Sequence, residues 1–166
     1  RGGGRITDIT GQIEGDLAAN GTFDYAGSSF NAHPTSLAGV SAKVVTVTAS
    51  PPQSNIDPSI HKVHLALRMR IKFEGTGVLT SCQTGLFDVG ISTHKWSTQW
   101  GTVGLHPVTG YFEAVAEDFT IPAVTTAACG ATLAAALNTT LGFGSSAGNT
   151  AIRLYGYINN PAVPQP

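Results

Sequence analysis

The chain has 166 residues, of which only 11% are charged, with 20 glycines and a net charge of −1. Typical soluble domains carry about 25% charged residues, so this composition favours short strands and tight turns over long salt-bridged helices. The length fits one domain over 1–166 with a real core, and the near-zero net charge excludes a global field that would draw nucleic acid or an anionic membrane.

Arg1-Gly2-Gly3-Gly4-Arg5 opens the chain without an initiator Met, a start that a removed signal peptide or a trimmed chain would both give. Residues 1–5 and the Pro-rich 161–166 read as extended tails. Ile9, Gly11, Ile13, Gly15 and Leu17 share one parity, and Asn20-Gly21 follows. Asn-Gly is the strongest short hairpin signal, because both central residues of that turn must accept positive φ. Thr22 to Phe30 returns with Phe23 and Tyr25 on one face, and His33-Pro34 breaks the run. Val40 to Thr48 is a β-branched strand closed by Ser50-Pro51-Pro52, and Asn55-Ile56-Asp57-Pro58 forms a turn.

The strand from Lys62 to Glu74 organises the rest. Val63, Leu65, Leu67, Met69, Ile71 and Phe73 fall on one parity, while His64, Ala66, Arg68, Arg70 and Lys72 fall on the other. Side chains alternate between the faces of a strand, so this segment has one apolar and one basic face. Leu86 to Thr93 is a further strand with Phe87, Val89 and Ile91 inward; His94 to Gly110 is a polar and aromatic excursion. Tyr111 to Ile121 is a strand closed by Pro122. One helix is predicted over Ala131–Leu141, where leucines recur every four residues and Gly142 supplies a stop. Thr150 to Ile158 is the last strand. About eight short strands with one small helix predict an all-β, antiparallel sandwich. The longest apolar runs fall far short of a bilayer span.

There are two cysteines, Cys82 and Cys129. An even count in a charge-poor β chain favours a disulfide and an oxidising compartment; two buried free thiols are the alternative.

From Ile56 onward the landmarks form a pattern. Ile56-Asp57-Pro58 precedes the long strand; then come Cys82 with Gly85-Leu86-Phe87, Phe119-Thr120-Ile121-Pro122, Cys129-Gly130, the Leu-rich helix and Gly148-Asn149. This resembles a domain widespread in secreted and cell-surface proteins of actinobacteria, over about Ile56 to Ile158. The resemblance implies a secreted β domain with a Cys82–Cys129 bridge, and it implies no activity. His94-Lys95-Trp96-Ser97-Thr98-Gln99-Trp100 departs from that pattern, standing where such domains carry a Gly/Ser/Thr-rich stretch.

Each candidate chemistry requires its own geometry. Gly144-Ser145-Ser146-Ala147-Gly148 matches the G-x-S-x-G of serine hydrolases, but it follows a helix and precedes a strand, the reverse of the required context. Glu113 and Glu117 sit four apart on one strand, roughly 13 Å between Cα atoms, too far for a glycosidase pair. His61 and His64 face opposite ways on a strand, and His33, His94 and His106 are scattered, so no metal or catalytic set is expected. Arg68, Arg70 and Lys72 read as a polyanion groove or, more simply, as the solvent side of a sheet balanced by Glu113 and Glu117. Trp96 and Trp100 share a parity, and with His94, His106 and Tyr111 they form a candidate patch; loop packing, a protein anchor and a glycan platform would each use such indoles. Asn20-Gly21-Thr22 and Asn138-Thr139-Thr140 are glycosylation sequons, which carry little weight if the source is bacterial, as the resemblance implies.

The expected function is that of a non-enzymatic, secreted or cell-surface structural or interaction module without a cofactor. Its expected partner is a copy of itself or another envelope protein. A carbohydrate-binding module using Trp96 and Trp100 is the alternative, and a small hydrolase a distant third.

Overall fold

The computed structural model describes residues 6–10, 15–17, 23–25, 29–34, 37–47, 54–57, 62–93, 111–117, 119–144 and 151–157. Its strands are β1 (Ile6–Thr10), β2 (Gly15–Leu17), β3 (Phe23–Tyr25), β4 (Ser29–Pro34), β5 (Val40–Val47), β6 (Asn55–Asp57), β7 (Lys62–Gly75), β8 (Phe87–Ser92), β9 (Tyr111–Glu117) and β10 (Ala151–Tyr157). Its helices are α1 (Thr126–Cys129) and α2 (Ala131–Leu141).

The alternation in β7 is realised residue by residue. Val63, Leu65, Leu67, Met69, Ile71 and Phe73 are all buried, while His64, Ala66, Arg68, Arg70, Lys72 and Glu74 are half-buried. Its neighbours obey the same period: Ala42, Val44 and Thr46 of β5 are buried, as are Phe87, Val89 and Ile91 of β8. One apolar cluster results, completed by Phe112, Ala114 and Ala116 from β9 and by Ala134 and Leu137 from α2.

The architecture is a mainly antiparallel sheet with a short helix and a disulfide. Eight strands belong to a single hydrogen-bonded sheet in the order β1-β4-β5-β7-β8-β9-β10, with β6 also on β7; β2 and β3 form a separate two-stranded ladder. The expectation of two sheets packed face to face is therefore met only as far as strand content and antiparallel pairing. The core lies on one face of this sheet, and Ala134 and Leu137 of α2 join it. Among the described residues, Ser92↔Val115 is the pair registered between β8 and β9.

Several boundaries differ from the sequence expectations. Ile9 to Leu17 divides into β1 and β2, and Thr22 to Phe30 into β3 and the start of β4. His33-Pro34 ends β4 instead of breaking the chain before it, since a proline at a terminal strand position removes no interior ladder bond. Residues Asn55–Asp57, expected as a turn, form β6 on the Lys62 end of β7. β9 stops at Glu117, short of Ile121, and the one-turn α1 precedes the expected helix.

A long central strand creates a backbone problem that its neighbours do not solve alone. β7 has 14 residues, about 45 Å at roughly 3.3 Å per residue, and outruns the strands on both edges. Side-chain hydroxyls fill the gaps. Thr93 Oγ1 accepts the Val63 N–H at 3.0 Å, Thr84 Oγ1 accepts the Ile71 N–H at 3.0 Å, and Ser54 Oγ accepts the Ala66 N–H at 3.0 Å. All three residues are buried. At the far end, the Phe73 N–H donates to the Cys82 carbonyl at 2.9 Å. There β7 leaves the sheet at Gly75, where any side chain would collide with the Gly39 carbonyl oxygen.

The connection from β7 to β8 is then pinned to the helices. Cys82 and Cys129 are bonded across a sequence separation of 47 with Cα atoms 4.3 Å apart. In the chain-entropy picture a closed loop of that length stabilises by about 4 kcal/mol. Ser81 Oγ reinforces the join by donating to the Ala128 carbonyl at 2.9 Å. The Thr125 hydroxyl caps α1 by accepting the Ala128 N–H at 3.2 Å. α2 stops where expected, with Gly142 in the left-handed region at φ 71°. The Asn138 amide binds the Val124 backbone with both ends, accepting from its N–H at 2.9 Å and donating to its carbonyl at 3.0 Å. That double engagement gives this sequon asparagine a structural task.

Two predictions follow from the two faces and the ladder. Leu67→Ala should lower unfolding stability in chemical denaturation by about 2–5 kcal/mol, and Arg68→Ala by much less; equal losses would mean the faces are misassigned. Thr93→Val preserves shape but leaves the buried Val63 N–H without its acceptor, so it should cost about 1–3 kcal/mol, with faster amide exchange at Val63.

Candidate functional site

Because alternation sends one set of β7 side chains into the core, the other set forms a row on the outer face: His64, Ala66, Arg68, Arg70, Lys72 and Glu74. Register then decides what each meets. β8 sets Asp88 directly across from Arg68. The guanidinium grips that carboxylate with two bonds, Nε to Oδ1 at 2.7 Å and Nη2 to Oδ2 at 3.0 Å. On the other side, β5 sets Val45 across from Arg70 and Lys43 across from Lys72. Lys43 turns along the strand to Glu74, with Nζ 3.0 Å from Oε2 and 3.1 Å from Oε1.

The acidic balance thus comes from Asp88 and Glu74, not from Glu113 and Glu117 as the sequence suggested. Those two lie on β9, which is separated from β7 by β8. Nothing in the sequence alone marks Asp88 or Lys43 as the relevant residues; their outward parity was legible, but the pairing that selects them is set by register.

The balance is incomplete. Arg70 Nε is buried and has no hydrogen-bond partner. Lys72 and Lys43 are like charges directly opposite, an arrangement that destabilises a ladder. On β5, β7 and β8 the outer face thus carries Lys43, Arg68, Arg70 and Lys72 against Glu74 and Asp88, a local cationic excess in a chain of net charge −1. This face can bind anions by paired N–H donors and point charge.

Toward the other end of the row, His64 stands directly across from Ser92. Its ring lies over Gly90, where an added Cβ would come within 3.2 Å of His64 Cε1. A residue larger than glycine would have to push the imidazole aside. Val115, the register partner of Ser92, is fully buried although it lies outside the main apolar cluster.

The other sequence candidates are placed as follows. His94, Trp96, Trp100 and His106 lie outside the described residues, as do His61 and Ser146. Tyr111 opens β9 as the register partner of Tyr157. His33 lies on β4 opposite Thr7. Among the described residues no group of three His, Cys, Asp or Glu side chains could hold a metal ion. No described helix is long and apolar enough to cross a membrane.

Comparison of the chain with family models, with curated proteins and with solved structures gives no match. What the face does must therefore be reasoned from its own chemistry.

One property of the site is directly measurable. The hydrogen bond from Arg68 and the cation's attraction hold the Asp88 carboxyl below the usual aspartate range, and the same bond raises Arg68. A depressed carboxyl favours the folded state above its ordinary pKa of about 3.9, and that contribution fades as pH falls through the lower folded value. An NMR titration of the Asp88 side chain should give a midpoint below that of a free aspartate, returning upward in Arg68→Ala.

Proposed function

We propose that this chain is a non-enzymatic structural or interaction domain of the secreted or cell-surface kind, a β-sandwich-like module that associates with copies of itself or with another envelope protein. The carrying observation is the outer face of β7. Strand β7 holds Arg70 with a buried nitrogen that has no acceptor, beside two lysines set directly opposite one another. A buried donor without a partner costs about 1–3 kcal/mol, so an anionic group brought by a partner would be rewarded there.

Three further features support the reading. The Cys82–Cys129 bond suits an oxidising compartment outside the cytoplasm. The resemblance of the stretch from Ile56 to Ile158 to secreted and cell-surface domains of actinobacteria points the same way. The outer-face cations Arg68 and Lys43 are tied into ion pairs, a structural rather than a catalytic use. The glycan-binding alternative rests on Trp96 and Trp100, and no described residue favours it.

Light scattering on a size-exclusion column tests the reading. A defined oligomer, or a mass that grows with protein concentration, is the expected result. A strict monomer over the whole accessible range would remove the self-association reading.

A further inference from the structure

An open sheet ends in two edge strands, each with backbone donors and acceptors directed outward. Here the ends are β1 and β10, and they differ. β1 meets β4 through a register shift between Thr7 and Thr10, and it carries Asp8. A break in register and an acidic residue both deter the addition of a further strand. β10 is regular by comparison. Ala151–Tyr157 pairs with β9 over seven consecutive residues without a shift, and among the described residues β9 is its one strand partner. Its sequence, Ala-Ile-Arg-Leu-Tyr-Gly-Tyr, holds no proline, no lysine and one charge, Arg153. In an antiparallel ladder alternate residues direct N–H and C=O to one neighbour, and the residues between direct theirs away. The far edge of β10 is therefore a row of backbone groups whose complement is another strand.

We infer that two copies of this chain join along β10, antiparallel and centred on Leu154, into one sheet continuous across a twofold axis. This deepens the interaction-module reading and rests on it. The strand's own sequence selects a second β10 as the occupant and fixes the register. Centred on Leu154, the self-pair sets Arg153 across from Tyr155 of the second copy, Ile152 across from Gly156, and Ala151 across from Tyr157. Centring on Arg153 would set two guanidinium groups directly opposite, which destabilises a ladder. The core favours the same join. Ile152 packs against the apolar cluster, and Leu154 and Gly156 share its parity, across from Ala114 and Phe112 of β9. The core-bearing faces of the two sheets thus meet edge to edge, with an aliphatic residue at the axis. An edge paired with itself is isologous and is used up in both copies, so association stops at the dimer.

Tyr155 gives the test two opposite signs. Within one copy it stands across from Glu113, whereas in the join it stands across from Arg153 of the other copy. Tyr155→Arg therefore adds an opposite-charge pair inside the fold and sets like charges opposite one another twice across the axis. Its dimer should be about fivefold weaker by sedimentation equilibrium, while the thermal transition of the dilute monomer holds or rises. Tyr155→Glu should do the reverse, tightening the dimer about fivefold and lowering that transition. A merely structural role for Tyr155 would move association and stability in the same direction. Leu154→Cys is the milder second variant, needed if Tyr155→Glu does not fold. Both native cysteines are bonded to each other, so a mild thiol oxidant should link two copies through Cβ atoms that face one another at the axis. Ala151→Cys, at the strand end, should link far more slowly. A dimer that neither Tyr155 change moves, faster linking at position 151 than at 154, or a mass that grows past the dimer would overturn this inference and leave self-association standing. Unaltered chains that stay monomeric would overturn both.

Discussion

Every backbone donor and acceptor on a central strand has to be satisfied on two edges at once, and the demand grows with strand length. In β7 the even-numbered residues address β5 and β6, and the odd-numbered ones address β8. Neither neighbour is as long as β7. The ladder is completed by Ser54, Thr84 and Thr93, whose hydroxyls stand in for missing backbone carbonyls. This constraint explains why small polar residues are buried in an otherwise apolar interior. Those buried hydroxyls support the backbone beneath the outer face.

The same economy governs the connection at Gly75. A Cys82–Cys129 bond, a Ser81 hydroxyl and the Phe73–Cys82 backbone bond hold the turn after β7 to α1. α2 is attached through Gly130 and through Asn138, whose amide clasps Val124. Phe143, just beyond the helix, meets Phe73 with ring centroids 6.0 Å apart. Helix, disulfide and central strand therefore form one continuous block under the concentrated positive charge.

How much of this could be read beforehand depends on range. β7 and α2 were legible because their signals are local: alternation over a dozen residues in one, leucines four apart with a terminal glycine in the other. The cysteine pair was legible because only one pairing is possible within the chain. The hydroxyl substitutes were not, since Thr84 and Thr93 acquire their roles only where β8 runs out. The site was half legible. Parity marked Arg68, Arg70 and Lys72, but the roles of Asp88 and Lys43 and the open Nε of Arg70 depend on cross-strand register. The hairpin shows how small the margin is. A two-residue Asn20-Gly21 turn would have set Asp24 across from Leu17; the observed register, one step away, sets it across from Asp16.

The seam between β8 and β9 carries a consequence of a different sort. Strand pairs elsewhere in the sheet are zipped over several residues, as in the seven-pair ladder joining β9 to β10, whereas among the described residues Ser92↔Val115 is the one pair registered between β8 and β9. Cooperative opening follows the weakest line of hydrogen bonds. β9 and β10 should therefore lift away together as one unit while β5, β7 and β8 remain closed. The molecule would then have two timescales of breathing: a slow one set by the stapled block around β7, and a faster one for a C-terminal flap hinged where a serine and a valine meet.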